Sequence, residues 1–471
     1  MNTVLAVCPN PEVAYRPPAP EPLSAIASLL RVIARGERNL LSLLPAEAYT
    51  VKIGRLGWSR RGIVLVNDPA MVMDILKDPQ HIFPKNDLMV SALEGLVGRS
   101  MFVSHGEVWK RQRRMIDPAF SHMRIDRSYA SMFEATEDHV RDLKQSAARR
   151  EVLSLDKVMS RLTADIVCRA IFSTSLDQGV ARSVFEDFLI FERSCASVDL
   201  GRLILGKPWE SIPQPPAVAA ACERIRSHIG VMLDERKERL ETGPDDIAQA
   251  LLMARDPETG EGFSREELID QLGVFFLAGH ETTASALTWA FYILSQHPHA
   301  AKRMRQEYES VVGEGELTLE KAKRLSYTRN VFRESMRLYP PITFIPRVAL
   351  KDTTIGHYAV KRGNMIMIAP WSLHRHADLW SNPNHFDPDR FVNEEDKAHA
   401  VGAYIPFGLG PRVCVGAAFA TLEATLILAR LMNTFDFRVL DPDSVRPAAR
   451  LTTRPEKEIE ITLTELARKT A

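Results

Sequence analysis

The sequence predicts a mainly α-helical protein with small β-sheets, folded as one large domain. Three observations support this fold class. A single helical pattern of about 33 residues, from Ser264 to Gln296, is nearly all apolar in its middle. Helical periodicity dominates from about Gly106 to Arg324, whereas β-like runs are short and lie near both ends. No proline- or glycine-rich linker divides the chain after the first residues, so we expect one core.

The first elements are short. Tyr49–Leu56 and Gly62–Val66 resemble strands, and a helix is predicted over Pro69–Lys77 because Asp68 suits the N-cap position. Further helices are predicted over residues 107–116, 127–146, 155–172, 182–195 and 217–241.

The long helix has clear boundaries. Ser264 and Glu267 form a capping box at its start, and Pro298 follows its end. At 1.5 Å per residue such a helix is about 50 Å long, which suits a path through the centre of a domain. Since Leu272–Leu294 is nearly all apolar, we expect burial on most sides.

After Pro340 the pattern changes to short β-like pieces, at 347–349, 354–355 and 365–368, followed by an apolar helix near 417–432 and a strand-like tail at 457–463. At the other end, the proline content of residues 1–22 predicts an extended leader. We therefore divide the chain into a leader, 1–22, and a single domain, 23–471.

Composition restricts the function classes. The 60 basic and 60 acidic residues cancel, so nothing favours binding to nucleic acid or to an anionic membrane. No uncharged apolar run reaches the roughly 18 residues of a transmembrane anchor. Five widely spaced cysteines without a C-x-x-C motif favour a reducing compartment, and we predict a cytoplasmic protein. Leu23–Leu44 is amphipathic; a surface helix is favoured over peripheral membrane contact.

One cysteine has a chemical context. Cys414 lies in a loop rich in glycine and proline, Phe407–Gly416, directly before an apolar helix. Gly410 and Gly416 permit close backbone approach, and a helix N-terminus lowers the pKa of a nearby thiol. We expect Cys414 to be a metal ligand, with flat space beside it suited to a haem.

The segment resembles the haem-loop signature of the cytochrome P450 family, F-x-x-G-x-R-x-C-x-G, at all five fixed positions. The resemblance, to soluble bacterial-type members, implies haem b between the long helix and the helix after Cys414. It implies Cys414 as the axial iron ligand, Arg412 on a haem propionate, Phe407 beneath the porphyrin, and Gly416 at the cofactor.

Ala278-Gly279-His280-Glu281-Thr282-Thr283 resembles the oxygen-binding motif A-G-x-[DE]-T-[TS] of the same family. The resemblance implies that Gly279 adjoins the cofactor, that Thr282 hydrogen-bonds the activated oxygen, and that Glu281 belongs to a proton-delivery route. A glycine beside hydroxyl residues also predicts local widening of the helix. His280 is at a variable family position, and we interpret it as structural rather than as a second iron ligand.

Two further motifs follow the family order. Glu334 and Arg337 with the later Arg390 resemble its buried ion triad, which locks the haem-loop region. Trp109, Arg113 and Arg347 resemble its propionate contacts; several buried arginines need anions, and a dicarboxylate cofactor supplies them.

Family position also predicts the substrate pocket, in which 87–104 is treated as a loop. The predicted residues are apolar and suit a small lipophilic substrate: Met89, Leu93, Leu96, Phe188, Phe275, Ala278, Ile342 and Phe344. The same pattern also fits an ordinary core.

The predicted reaction is hydroxylation or epoxidation with O₂. Electrons come from an external ferredoxin with its reductase, or from a flavodoxin, because the chain has no iron–sulfur cysteine spacing. Lys110, Arg111 and Arg114 are predicted to form a basic docking patch on a monomer. Two alternatives are a haem-binding sensor and a non-redox isomerase or dehydratase on the same fold; the Glu281–Thr282 pair favours the monooxygenase.

Overall fold

The structure is a computed structural model. It describes residues 15–28, 31, 39–57, 59–78, 81–177, 181–195, 203, 206–209, 214–240, 242–392 and 401–467. Its mainly helical architecture with small sheets confirms the predicted fold class. The α-helices are α1 Pro69–Lys77, α2 Asp87–Val97, α3 Gly106–Ile116, α4 His122–Ala148, α5 Leu155–Phe172, α6 Ala181–Cys195, α7 Pro216–Lys237, α8 Ile247–Met253, α9 Arg265–Gln296, α10 Pro298–Val311, α11 Leu319–Arg324, α12 Ser326–Leu338, α13 Pro370–Leu373 and α14 Ala417–Thr434.

Helix α9 is the centre of the fold. It is continuous over 32 residues, and the side chain of Ser264 and that of Glu267 form the expected capping box. Helices α5, α7, α2, α12 and α14 all pack against it. Nearly every residue from Leu268 to Leu294 is buried, which explains an apolar pattern without a polar face.

Helix α2 was not expected, because 87–104 was predicted to be a loop. The Asn86 side chain caps α2 by accepting a hydrogen bond from the Leu88 amide at 2.9 Å. Leu93, Leu96 and Val97 provide a buried face. The helix is short and contains a glycine, so its sequence pattern is weak, and tertiary packing stabilises it.

The strands are β1 Ile53–Arg55, β2 Val64–Val66, β3 Leu153–Ser154, β4 Ile345–Val348, β5 Thr353–Ile355, β6 Tyr358–Val360, β7 Met365–Ile368, β8 Phe435–Val439, β9 Pro447–Ala449, β10 Thr453–Pro455 and β11 Glu460–Glu465. They form four small sheets with the orders β1-β2-β7-β4, β3-β11-β8, β9-β10 and β5-β6. In the largest, β7 pairs in parallel with β2 and antiparallel with β4, with Ile366 opposite both Val64 and Arg347. This pairing places Arg347 beside the cavity described below.

The described part of the predicted leader contacts the domain. The Phe386 amide donates to the Tyr15 carbonyl at 2.9 Å, and the Tyr339 hydroxyl donates to the Pro18 carbonyl at 2.6 Å. Residues 1–14, with Cys8, and most of 29–38 lie outside the described residues. No helix in the described part of the chain is long and apolar enough to cross a membrane.

Candidate active site

The loop before α14 presents Cys414 to an internal cavity. The Cys414 amide donates to the Phe407 carbonyl at 2.9 Å, which closes the loop on itself. Gly410 has φ +74°, and a Cβ there would lie 2.9 Å from the Leu76 carbonyl oxygen. Only glycine fits this combination of left-handed backbone and close approach to α1. The loop geometry therefore depends on the glycine at 410.

The accessible surface of the Cys414 side chain faces the internal cavity, so the thiol is surrounded by protein although its sulfur is exposed. The prediction of a lowered thiol pKa was wrong in direction: burial raises the pKa of Cys414, against smaller opposing effects of the Gly416 amide and Arg113. The low-dielectric surroundings outweigh the helix terminus. A bound metal cation deprotonates a coordinating thiol outright, so ligation itself supplies the thiolate.

Three cations line one wall of this cavity without a carboxylate hydrogen-bonded to any of them among the described residues. They are Lys85, Arg347 and Arg412. Burial and mutual repulsion lower the pKa of Lys85 well below its usual value, and burial lowers the pKa of Arg347 and of Arg412 to about 10. Such a group is costly without anions. The two carboxylates of a haem provide them, so the residues present fit this cofactor.

The sequence analysis missed Lys85, because its only local signal is a lysine after Phe83-Pro84, and that is too weak to indicate a site. Its Nζ lies 3.5 Å from the Phe102 ring centroid, a cation–π contact at the cavity wall. Strand-like pairing of Lys85 with Arg347 brings the two cations together. This juxtaposition depends on residues 262 positions apart in the chain.

Trp109 and Arg113 do not line the cavity among the described residues. The Trp109 ring lies beneath Arg412, 4.4 Å from its guanidinium carbon. Arg113 donates to the Val413 carbonyl at 2.8 Å and pairs with Asp117 at 2.6 Å. Trp109 and Arg113 therefore contact the loop that contains Arg412 and Cys414, and these contacts stabilise its conformation.

Helix α9 contributes Ala278, Gly279, Thr282 and Thr283 to the cavity lining. Thr282 donates its hydroxyl hydrogen to the Ala278 carbonyl at 2.7 Å. The predicted widening of the helix is not observed, since α9 remains α-helical through this turn. A Cβ on Gly279 would instead lie 2.8 Å from Val167 Cγ2, so this glycine permits close packing of α5 on α9.

Glu281 points away from the cavity. Its carboxylate accepts hydrogen bonds from Arg454 through Nε, at 3.0 Å, and through Nη2, and from the Thr452 hydroxyl at 2.7 Å. Burial raises the pKa of Glu281, and the Arg454 guanidinium opposes this effect. The Glu281 carboxylate is therefore fully hydrogen-bonded where it stands.

The Glu334–Arg337–Arg390 group is buried as an ion cluster. Arg337 binds both carboxylate oxygens of Glu334, at 2.7 and 2.8 Å, and Arg390 Nε lies 3.4 Å from Glu334. Arg337 also donates to the His374 carbonyl at 2.8 Å. The His374 ring in turn accepts from the Ile405 amide at 2.9 Å, which links the cluster to the start of the haem loop.

The cavity has a volume of about 770 Å³ and extends from Cys414 past Thr282. Of the predicted pocket residues, Met89, Leu93, Phe275, Ala278, Ile342 and Phe344 line it, as do Phe407 and Gly416. Leu96 and Phe188 do not, and that part of the prediction was wrong. Both are fully buried, and Phe188 stacks on Phe276 at 4.5 Å. Helical periodicity cannot separate a cavity-facing side chain from a core one.

The predicted basic docking patch is also not supported. Arg111 pairs with Glu267 at 2.7 Å, Arg114 with Asp256 and Glu258, and Lys110 with Glu107 at 2.8 Å. Each of the three cations is therefore neutralised by a nearby carboxylate.

A buried carboxyl group was missed altogether. Glu423 of α14 is 0% exposed, and neither carboxylate oxygen has a hydrogen-bond partner of acceptable geometry among the described residues. Burial raises the pKa of Glu423 well above its usual value, and the nearby Thr283 hydroxyl opposes this. The low-dielectric surroundings therefore favour the neutral form of this carboxyl group.

A cysteine on a closed loop, three cations at the wall of an internal cavity and a helix that brings Thr282 to the same cavity are the features of a haem-thiolate protein. Comparison with known proteins agrees. Residues 17–463 match the family model described as Cytochrome P450. The chain belongs to the cytochrome P450 family.

Relatives extend over most of the chain. The cyclooctat-9-en-7-ol 5-monooxygenase of Streptomyces melanosporofaciens is 33% identical over 85% of this chain and 85% of its own length. The protein LUTEIN DEFICIENT 5 of Arabidopsis thaliana is 30% identical over 85% of this chain and 70% of its own. The crystal structure of the cytochrome P450DA heme domain has a TM-score of 0.76 at 26% identity and covers 88% of this chain and 89% of that one.

The chain is thus a cytochrome P450 monooxygenase with cysteine-ligated haem b. The leading interpretation of the sequence is confirmed over the sensor and isomerase alternatives. As a monooxygenase of this family, it depends on a redox partner, on O₂ and on an organic substrate.

Proposed function

We propose that this monooxygenase oxidises a lipophilic, largely hydrocarbon substrate held in the cavity between Cys414 and Phe275. The observation that carries this proposal is the largely apolar lining of the cavity outside the cation cluster. Met89, Leu93, Ile342 and Phe344 contribute to it. Apolar surface binds an apolar ligand and excludes the water that would compete with the reaction.

The cofactor contacts follow from the site chemistry. Cys414 would bind the haem iron, and Lys85, Arg347 and Arg412 would pair with the haem carboxylates. When bound, the haem supplies the activation of O₂. The Trp109 ring and the Ser104 carbonyl, which accepts from Arg412 at 2.9 Å, hold the Arg412 side chain in place.

The Thr282 hydroxyl is proposed to orient O₂ in the cavity and to pass a proton into the cavity. This hydroxyl lies at the cavity wall and can turn from the Ala278 carbonyl toward the cavity. Glu281 is the proposed source of that proton. For this role its carboxyl group has to leave Arg454 and Thr452.

The substrate class can be narrowed by analogy. The Streptomyces relative is named for a reaction of cyclooctat-9-en-7-ol, an unsaturated cyclic alcohol. We extend this to cyclic, mostly hydrocarbon alcohols as the first compounds to test. The enzyme is further proposed to be a cytoplasmic monomer that receives electrons from a ferredoxin with its reductase or from a flavodoxin.

A spectrum of the reduced protein under carbon monoxide tests the site. We expect the Soret band of a thiolate-ligated haem, lost in Cys414→Ser and retained in Cys222→Ser, a buried cysteine away from the cavity. Titration with cyclic terpenoid alcohols should then give a substrate-induced spin shift. A band unchanged by Cys414→Ser would refute the assigned ligand.

A further inference from the structure

His280 lies on the side of α9 away from the cavity, where aromatic rings and two acceptor oxygens surround its imidazole ring. The side chain is 0% exposed. The rings of Phe185, Phe188 and Phe276 surround it at centroid distances of 5.9, 5.8 and 5.1 Å. Its Nδ1 lies 2.8 Å from the Phe276 carbonyl oxygen, and its Nε2 lies 2.7 Å from a carboxylate oxygen of Glu192 in α6.

Both ring nitrogens therefore face acceptor atoms at hydrogen-bond distance. A neutral imidazole has a hydrogen on only one of its two ring nitrogens, so it can donate to only one of these oxygens. The lone pair of the other nitrogen then faces the second oxygen, which is repulsive. The 2.7 Å contact lacks the angle of a hydrogen bond, and neither His280 Nε2 nor that oxygen of Glu192 has another hydrogen-bond partner among the described residues. A second proton on the ring turns this contact into an ion pair between an imidazolium and a carboxylate, and the short distance suits such a pair.

The pair belongs to a larger buried charge cluster. Helix α5 contributes Asp156, α6 contributes Glu192, α9 contributes Glu281, and β10 contributes Arg454, which pairs with Asp156 and Glu281. With a neutral His280, one guanidinium would face three carboxylates. With an imidazolium, Glu192 has its own counter-charge and Arg454 is left to the other two.

The electrostatics agree with this geometry. Burial lowers the pKa of His280, but Glu192 and Glu281 outweigh it, and the net pKa is raised above the usual 6.5. The attraction of Glu192 also reaches Arg454. The His280 proton thus decides how strongly Arg454 is drawn away from Glu281.

We propose that His280 is a positioning residue, held as an imidazolium by Glu192, which reserves Arg454 for Glu281 and keeps the Glu281 carboxyl group turned from the cavity. The functional part rests on the proton-delivery role proposed for Glu281. As pH rises and His280 loses its proton, Arg454 is shared with Glu192, and Glu281 is freer to turn. The pH dependence of proton delivery should then follow His280.

Nitrogen NMR of the ferrous carbonyl holoenzyme with ¹⁵N-labelled histidine tests the protonation directly. The resonance lost in His280→Gln identifies His280, and His299→Gln, which changes an exposed histidine just beyond the same helix, provides the matched control. We expect an imidazolium at pH 6 whose titration midpoint lies above the usual 6.5. Glu192→Gln should lower this midpoint. A neutral ring at pH 6 in the unchanged protein overturns the proposal.

The same spectra distinguish a proton from a metal ion, since His280, Glu192 and Glu281 also have ligand atoms close together. Addition of Zn²⁺ should leave the resonance unchanged. A shift with Zn²⁺ that EDTA reverses overturns the proposal in favour of a metal site.

The positioning role is tested by the peroxide released per electron from a surrogate ferredoxin and reductase. We expect the peroxide released per electron to change with pH above 6.5, where His280 loses its proton. This pH dependence should be lost in His280→Gln and Glu192→Gln and kept in His299→Gln. An unchanged pH dependence of the peroxide yield in His280→Gln overturns the positioning role. The NMR experiment tests only the protonation of His280 and does not depend on Glu281. A neutral His280 in that experiment is therefore distinct from a failure of the role proposed for Glu281.

Discussion

Glu281 and Thr282 are adjacent in the sequence, yet their side chains lie on different sides of helix α9. Thr282 lines the cavity, whereas the Glu281 carboxylate is bound by Arg454 and Thr452 in the core. Successive residues on a helix point in directions about 100° apart, so two adjacent residues of one motif can have different neighbours. The two residues therefore give separable predictions.

Replacement of Thr282 by alanine should uncouple electron use from product. The hydroxyl at the cavity wall is lost, so we expect more peroxide and less oxidised substrate for the same electron input. Thr282→Ser should retain most coupling. Thr288→Ala is the matched control, because Thr288 bonds its own helix in the same way, to Ala284 at 2.8 Å, but is fully buried. Equal peroxide yields in both alanine variants would contradict the role of Thr282.

Removal of Arg454 should destabilise the fold. Arg454→Met leaves the buried Glu281 carboxylate without its counter-charge, and loss of one partner of a buried pair costs about 3–5 kcal/mol. The double variant Glu281→Gln with Arg454→Met should recover part of this loss in denaturant unfolding. Lys361→Met, in the exposed pair with Asp352, should change stability by less than about 1 kcal/mol. Additive effects of the two core changes would argue against the pair.

Glu423 should make the protein less stable at high pH. Its pKa is raised in the folded protein, so the folded state holds this proton more tightly than the unfolded state does. The stability is fully present below the unfolded pKa, near 4.5, and is lost as pH rises toward the folded pKa. Glu423→Gln should therefore raise the melting temperature at pH 8 more than at pH 5. Glu320→Gln, at an exposed site, should not.

Gly279→Ala should weaken the packing of α5 on α9. The added Cβ would lie 2.8 Å from Val167 Cγ2, and overpacking of this kind costs about 1–3 kcal/mol. Val167→Ala in the same chain should restore stability. Gly273→Ala on the same helix meets its nearest atom at 3.5 Å, an ordinary contact, and should be neutral or stabilising. Equal unfolding free energies for the two glycine variants would contradict this account.

Local chemistry made much of the molecule predictable. The capping box of Ser264 and Glu267 lies within one turn, and the predicted and observed bounds of α5 coincide. The loop around Cys414 was recognised because its glycines, arginine and cysteine occur within ten residues. Helix α2 was missed because its stability comes from burial of Leu93 and Leu96 against other elements rather than from a strong pattern of its own.

The sequence by itself determined the fold class and the family, and it singled out Cys414 as the proposed ligand, since these depend on short-range patterns and on motif order. Only the tertiary structure decided which side chains share a space. It placed Lys85 beside Arg347 and Arg412, turned Glu281 toward Arg454, and buried Glu192 against His280. The physical reason is that a charge interacts with whatever neighbour packing brings within a few ångströms, and that neighbour is set by long-range contacts that a linear pattern does not encode.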